Sequence, residues 1–75
     1  MQFPLDQVEG VSKLRTIDAI ALKASAQEGN LGALAEWVVW TLYQQFRRYR
    51  YSHEKAIKET KALLERVDLQ PRIVE

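Results

Sequence analysis

The sequence predicts an all-α fold: a three-helix bundle, or a long antiparallel helical hairpin preceded by a short N-terminal helix. Three observations carry that prediction. Apolar residues recur at helical spacing along the chain, and no run alternates with period two. Helix-ending punctuation is sparse, at Pro4, Gly10, Gly29-Asn30, Ser52 and Pro71. The links between these marks are short, which sets consecutive helices antiparallel.

The first helix is expected over about 12–28. It starts either at Asp6, where "DQVE" reads as a capping box, or at Ser12 after Gly10. Leu14, Ile17, Ile20, Ala21 and Ala24 form its apolar stripe. Gly29 closes it, because glycine adopts the left-handed conformation without penalty. Asn30 then suits the N-cap of the middle helix, 31–51, its side-chain oxygen accepting from an orphan backbone N–H. Ser52 plays the same part for the last helix, 53–69, with Glu54 in the positive first turn. That helix carries Ala56, Ile57, Thr60, Leu63, Leu64 and Val67 on one side and Glu54, Lys58, Lys61 and Glu65 on the other. Pro71 stops it, leaving a short tail over 71–75.

Seventy-five residues make a single domain, 1–75, with a core at the small end of what folds alone. The absence of cysteine excludes disulfides and thiolate metal sites, and a single histidine argues against zinc, so no cofactor is expected. Oligomerisation remains as a source of extra stability, which makes a homo-oligomer the expectation. The formal charge of +1 is not that of a protein that coats nucleic acid. The charge is uneven, however: Arg47, Arg48, Arg50, Lys55 and Lys58 face the lone acid Glu54 within residues 47–58. Met1 to Asp6 lack the basic start and apolar run of a signal peptide. The most apolar stretch, "LGALAEWVVWTLY", contains Glu36 and falls short of the ~18 to 20 residues a membrane span needs. The expectation is a cytoplasmic, soluble protein.

On a helical wheel the middle helix has apolar residues on two sides. Leu31, Leu34, Ala35, Val38, Leu42, Phe46 and Tyr49 form a core-facing wedge. Opposite lie Glu36, Trp40, Tyr43, Gln44, Arg47, Arg50 and Tyr51, with Trp37, Val39 and Arg48 on the flanks. Two neighbouring helices would cover much of a central helix, which accounts for Trp37 and Val39 as core. Coverage accounts poorly for Trp40, Tyr43, Arg47 and Arg50, because arginines are seldom buried unpaired. Tryptophan, tyrosine and arginine are also the residues that dominate binding hot spots. Trp40, Tyr43, Arg47, Arg50 and Tyr51 are therefore the candidate binding or self-association residues.

Several chemistries can be weighed on those residues. Arginines neutralise phosphates and aromatic rings stack on bases, so nucleic acid is one partner class. Cations near a helix C-terminus have an ordinary explanation too, since they complement the dipole. Helix-turn-helix readout is disfavoured: the leading residues of the middle helix, "LGALAEWVVW", belong in a core, and the last helix mixes acids with its lysines. A small anionic ligand of nucleotide type fits better, matching a ring and a guanidinium fork at once. An acidic face of another protein is the other candidate. Catalysis has little support, because His53 reads as a structural residue at a helix start and "EGNLGAL" lacks the spacing of a phosphate loop. Membrane-surface binding is opposed by Glu36 on the same face.

With "GNLGALAEWVVWTLYQQFR" followed by "SHEKAIKETKALL", the chain resembles small uncharacterised helical proteins of bacterial phages and mobile elements. The likeness covers the second and third helices. It implies a context rather than an activity: short accessory proteins of phages often act by stoichiometric binding, sequestering a host nucleotide signal or blocking a defence enzyme. The resulting expectation is a non-enzymatic anti-defence factor that binds an anionic partner. The alternatives are a nucleic-acid-binding accessory protein and a structural, self-associating adaptor.

Overall fold

The computed structural model describes residues 5–69, with side chains through Arg66. The expected tail over 71–75 and the side chain of Val67 lie outside the described residues. A 3-10 turn, Leu5–Gln7, leads into α1, Val8–Ser12. After a non-helical link at 13–15, α2 runs Thr16–Gln27, α3 Leu31–Arg48 and α4 His53–Leu69. There is no strand among the described residues, and the class is all-α.

The first helix, expected over about 12–28 with its start at Asp6 or Ser12, begins only at Thr16, and a separate short helix, α1, precedes it. Neither expected start caps it. Asp6 sits in the 3-10 turn, and Gln7, the N-cap of α1, makes no side-chain capping bond. Ser12 ends α1 instead of opening a helix; its buried hydroxyl donates to the Glu9 carbonyl at 2.7 Å. The break has a tertiary cause. It lets Val8 and Val11, one turn apart, enter a core with Val39 and Tyr43 of α3 and Ala56, Ile57 and Leu64 of α4. Leu5, Leu14, Trp40, Leu42, Phe46 and Tyr51 pack around this cluster.

α2 stands apart from that core. Among the described elements it packs on α3 alone, whereas α1 touches both α3 and α4. Ala19 is the buried residue of α2, and Leu22, Ser25 and Ala26 are half-buried beside it. The stripe expected to be its core face lies on the other side. Ile17 and Ile20 are 66% and 61% exposed, and Ala21 and Ala24 are exposed with them.

α3 is likewise rotated from its expected orientation. The buried residues Ala35, Val39 and Tyr43 follow one another at four-residue steps, a line one position away from Leu34, Val38 and Leu42. Val39, on the flank, is core as expected; Tyr43, placed on the open side by the wheel, is core too, and Leu31 and Tyr49, placed in the core wedge, are exposed. The reason is that α3 is covered from two directions. α1 and α4 cover its Val39 line and α2 another side, so Leu34, Val38 and Leu42 lie between neighbours, half-buried.

The helix ends are chemically explicit. Gly29, at φ +105°, closes α2: its N–H donates to the Ala26 carbonyl, and the Asn30 N–H donates to that of Ser25. Asn30 Oδ1 accepts from the Ala33 N–H at 3.0 Å and opens α3. Ser52 Oγ does the same for the Lys55 N–H at 3.1 Å and opens α4. Among the described residues no helix is long and apolar enough to cross a membrane.

Candidate functional site

The five residues singled out in the sequence do not form one surface. Tyr43 is buried at 7% exposure, its hydroxyl 2.8 Å from His53 Nδ1 and its ring edge-on to the imidazole. His53 Nε2 is 3.3 Å from Glu9 Oε2, so one imidazole ties α1, α3 and α4 together. A carboxylate, an imidazole and a hydroxyl in series resemble a catalytic relay. Here the hydroxyl lies in the core, and none of the three residues lines either cleft described below.

Arg50 and Tyr51 belong to the end of α3. Arg50 adopts φ +69°, the left-handed conformation that Gly29 adopts after α2. Its N–H donates to the Arg47 carbonyl, and the Tyr51 N–H donates to that of Phe46, the same paired closure. The Tyr51 ring stacks on Phe46 at 5.5 Å, supplying the apolar contact that accompanies such a closure. Lys55 Nζ lies over the Tyr51 ring, 4.4 Å from its centre. Arg47 Nη1 donates to the Tyr51 carbonyl at 2.7 Å. Most of "RRYRY" therefore terminates a helix.

Trp40 has a different role. Its ring is half-buried against the core, and its Nε1–H donates to the Leu14 carbonyl at 3.1 Å. That carbonyl lies in the link between α1 and α2, so the indole satisfies backbone that the helix break releases. Trp40 also lines a cleft of about 300 Å³ with Thr41, Gln44, Gln45 and Arg48 of α3 and Thr16 of α2. The α3 residues recur at three- and four-residue steps, which puts them on one face over successive turns. Thr16 is the first residue of α2, and its N-cap, Arg15, carries no acceptor and makes no capping bond. The leading N–H groups of that helix therefore have no intrahelical or side-chain partner at their N-cap. Asp18, in the same turn, is engaged by Arg15 at 3.3 Å.

The electrostatics of the cleft have one sign. Among the described residues its lining holds one cation, Arg48, and no carboxylate. Among the described residues Arg48 makes no ion pair, and it is exposed. Thr41 keeps its hydroxyl oxygen away from solvent and, among the described residues, without a hydrogen-bond partner. A second cleft, about 410 Å³, lies between the 3-10 turn, α1 and α3, where Asp6, Gln7, Gly10, Val11, Leu14 and Glu36 line it. Among the described residues that one has two carboxylates and no cation, so the two clefts differ in the sign of their lining charge.

Of the sequence candidates, then, Trp40 alone lines the cationic cleft. Arg48, assigned to a flank of the wheel, is its charge, and Thr16, Thr41 and Gln45 were not singled out. The signal for the α3 members was present as the spacing Trp40, Gln44, Arg48 and Thr41, Gln45, Arg48. Thr16 carried none, because its place depends on the break that opens α2. No protein-family profile matches the chain, and no curated protein or solved structure matches it.

Proposed function

We propose that this chain is a non-enzymatic binding protein whose α2–α3 cleft takes a small anionic ligand carrying a flat ring, of nucleotide type. The observation that supports this reading is the meeting of an indole, a guanidinium and the uncapped start of α2 around one cleft, with no ion pair to that guanidinium and no carboxylate in the lining among the described residues. Each member has a role in such binding. Arg48 offers a planar fork for phosphate oxygens. The start of α2 offers backbone N–H groups at the positive end of a helix. Gln44 and Gln45 offer amides that donate and accept, as the edge of a base requires, and Trp40 offers an aromatic surface. A volume near 300 Å³ is at the lower end of small-molecule sites, which favours a small ligand over the acidic face of a protein. In the setting implied by the resemblance to phage and mobile-element proteins, such a site would sequester a host nucleotide signal and so act against host defence.

The test is calorimetry against nucleoside mono-, di- and triphosphates and dinucleotides. At least one is expected to bind with a defined stoichiometry, and Arg48→Gln is expected to weaken it by about tenfold or more, the loss of a charge-assisted contact. Lys58→Gln, an exposed change on α4, is expected to leave it unaltered. No binding by any member of the panel, or wild-type affinity in Arg48→Gln, overturns the reading. Equal losses in both variants, with affinity falling steeply as salt rises, point instead to a nucleic-acid partner.

A further inference from the structure

Among the described elements α2 packs on a single neighbour, and its apolar stripe faces away from it. Ile17, Ile20, Ala21 and Ala24 follow the three- and four-residue rhythm of a helix-packing seam, yet all four are exposed. Two isoleucines about two-thirds exposed within one turn, with Ala21 and Ala24 beside them, form a continuous apolar stripe on the open side of α2. The order of residues along the stripe indicates which partner fits it.

We propose that a second copy of this chain covers it, α2 against α2, antiparallel about a two-fold axis passing between Ile20 and Ala21. In that register Ile17 of one copy lies level with Ala24 of the other, and Ile20 with Ala21, so each large side chain meets a small one. A parallel pairing would instead set isoleucine on isoleucine and alanine on alanine, leaving the seam uneven. The charges agree with the antiparallel choice. The link before α2 carries Lys13 and Arg15 and its far end carries Glu28, all three exposed. An antiparallel pair lays the basic end of each helix beside the acidic end of its partner, whereas a parallel pair sets like charges together. Arg15 is partly occupied by Asp18, which leaves Lys13 as the freer cation at that end. A seam of one 12-residue helix is smaller than the ~1,200 Å² of a stable interface, so the dimer dissociates readily on dilution.

The experiment is sedimentation of the full chain across a concentration series, combined with single-cysteine cross-linking. The chain has no cysteine of its own, so each introduced thiol is unique. In the proposed register the two copies of residue 21 are about 1.5 Å apart along the helix axes, and the two copies of residue 24 about 10 Å apart. Ala21→Cys is therefore expected to form an intermolecular disulfide under mild oxidation and Ala24→Cys is not, since a disulfide needs Cα atoms within about 7 Å. Ile20→Lys is expected to raise the dimer dissociation constant by about tenfold or more while keeping the helical circular dichroism, because Ile20 is exposed in the monomer. A monomer at every concentration overturns the proposal, as does equal cross-linking of the two cysteine variants. A dimer unaffected by Ile20→Lys overturns it as well.

Discussion

Tyr43 has a phenol to satisfy at 7% exposure, and His53 satisfies it at 2.8 Å. Thr60, fully buried on α4, has a hydroxyl with no hydrogen-bond partner among the described residues, so polar groups in this core are not matched automatically. Tyr43→Phe removes one hydrogen bond without opening a cavity and should cost about 1 kcal/mol of stability. His53→Ala removes that bond and the contact with Glu9, and should cost somewhat more, roughly 1 to 2 kcal/mol. Because the two share one interaction, the double variant should fall short of the sum of the singles. Urea denaturation of the four proteins measures this; strict additivity would mean that the Tyr43–His53 bond contributes nothing. The structural part played by His53 was legible from its place at a helix start. Its partners were not, because Glu9 is 44 positions away in the chain. Tyr43 was misread for a related reason: a tyrosine on a wheel looks the same whether its hydroxyl meets water or a buried imidazole.

At the scale of the element, helix ends were legible wherever a side chain made the ending local. Gly29, Asn30 and Ser52 each act within three or four residues, and each is where the sequence places it. The end of α3 was not legible. The middle helix was expected to reach 51, but it stops at Arg48, and an arginine rather than a glycine holds the left-handed position that follows. The stop is enforced by what comes after it, the Tyr51 ring on Phe46 and the start of α4 at Ser52. The cost of that enforcement is measurable. A residue with a Cβ pays about 1 kcal/mol in this conformation and glycine pays none, so Arg50→Gly should stabilise the protein by up to about 1 kcal/mol. A two-state thermal melt should show a midpoint higher by a few degrees, about 4 to 8 °C per kcal/mol for a domain of this size. An unchanged or lowered midpoint would show that the Arg50 side chain contributes enough elsewhere to offset its backbone. The break at 13–15 was illegible for the opposite reason: no glycine or proline marks it, and its benefit lies in placing Val8 and Val11 against α3 and α4.

For the whole molecule, the same division into core and appendage decides how stability is distributed. The described chain measures 38 × 30 × 19 Å, about two helix layers thick, and its main apolar cluster draws on α1, α3 and α4. The helical class was legible because periodicity is a property of each segment. Which stripe faces which neighbour was not, because α2 buries its Ala19 side rather than the Ile17/Ile20 line, and only assembly decides which side is covered. One consequence concerns opening. α2 buries Ala19 fully and half-buries a few others against a single neighbour, whereas α3 buries Val39 and Tyr43 between helices. Separating α2 from α3 therefore exposes less apolar surface than unfolding the chain, and by area it should cost less. Native-state hydrogen exchange on dilute protein should find the inner amides of α2, residues 20–26, exchanging through a local opening. Those of α3 around Val39 to Tyr43 should exchange only with global unfolding. Added denaturant should accelerate the α3 amides steeply and the α2 amides weakly, because local opening exposes little new surface. Identical protection and identical denaturant slopes in the two helices would refute the division and make the chain one cooperative unit.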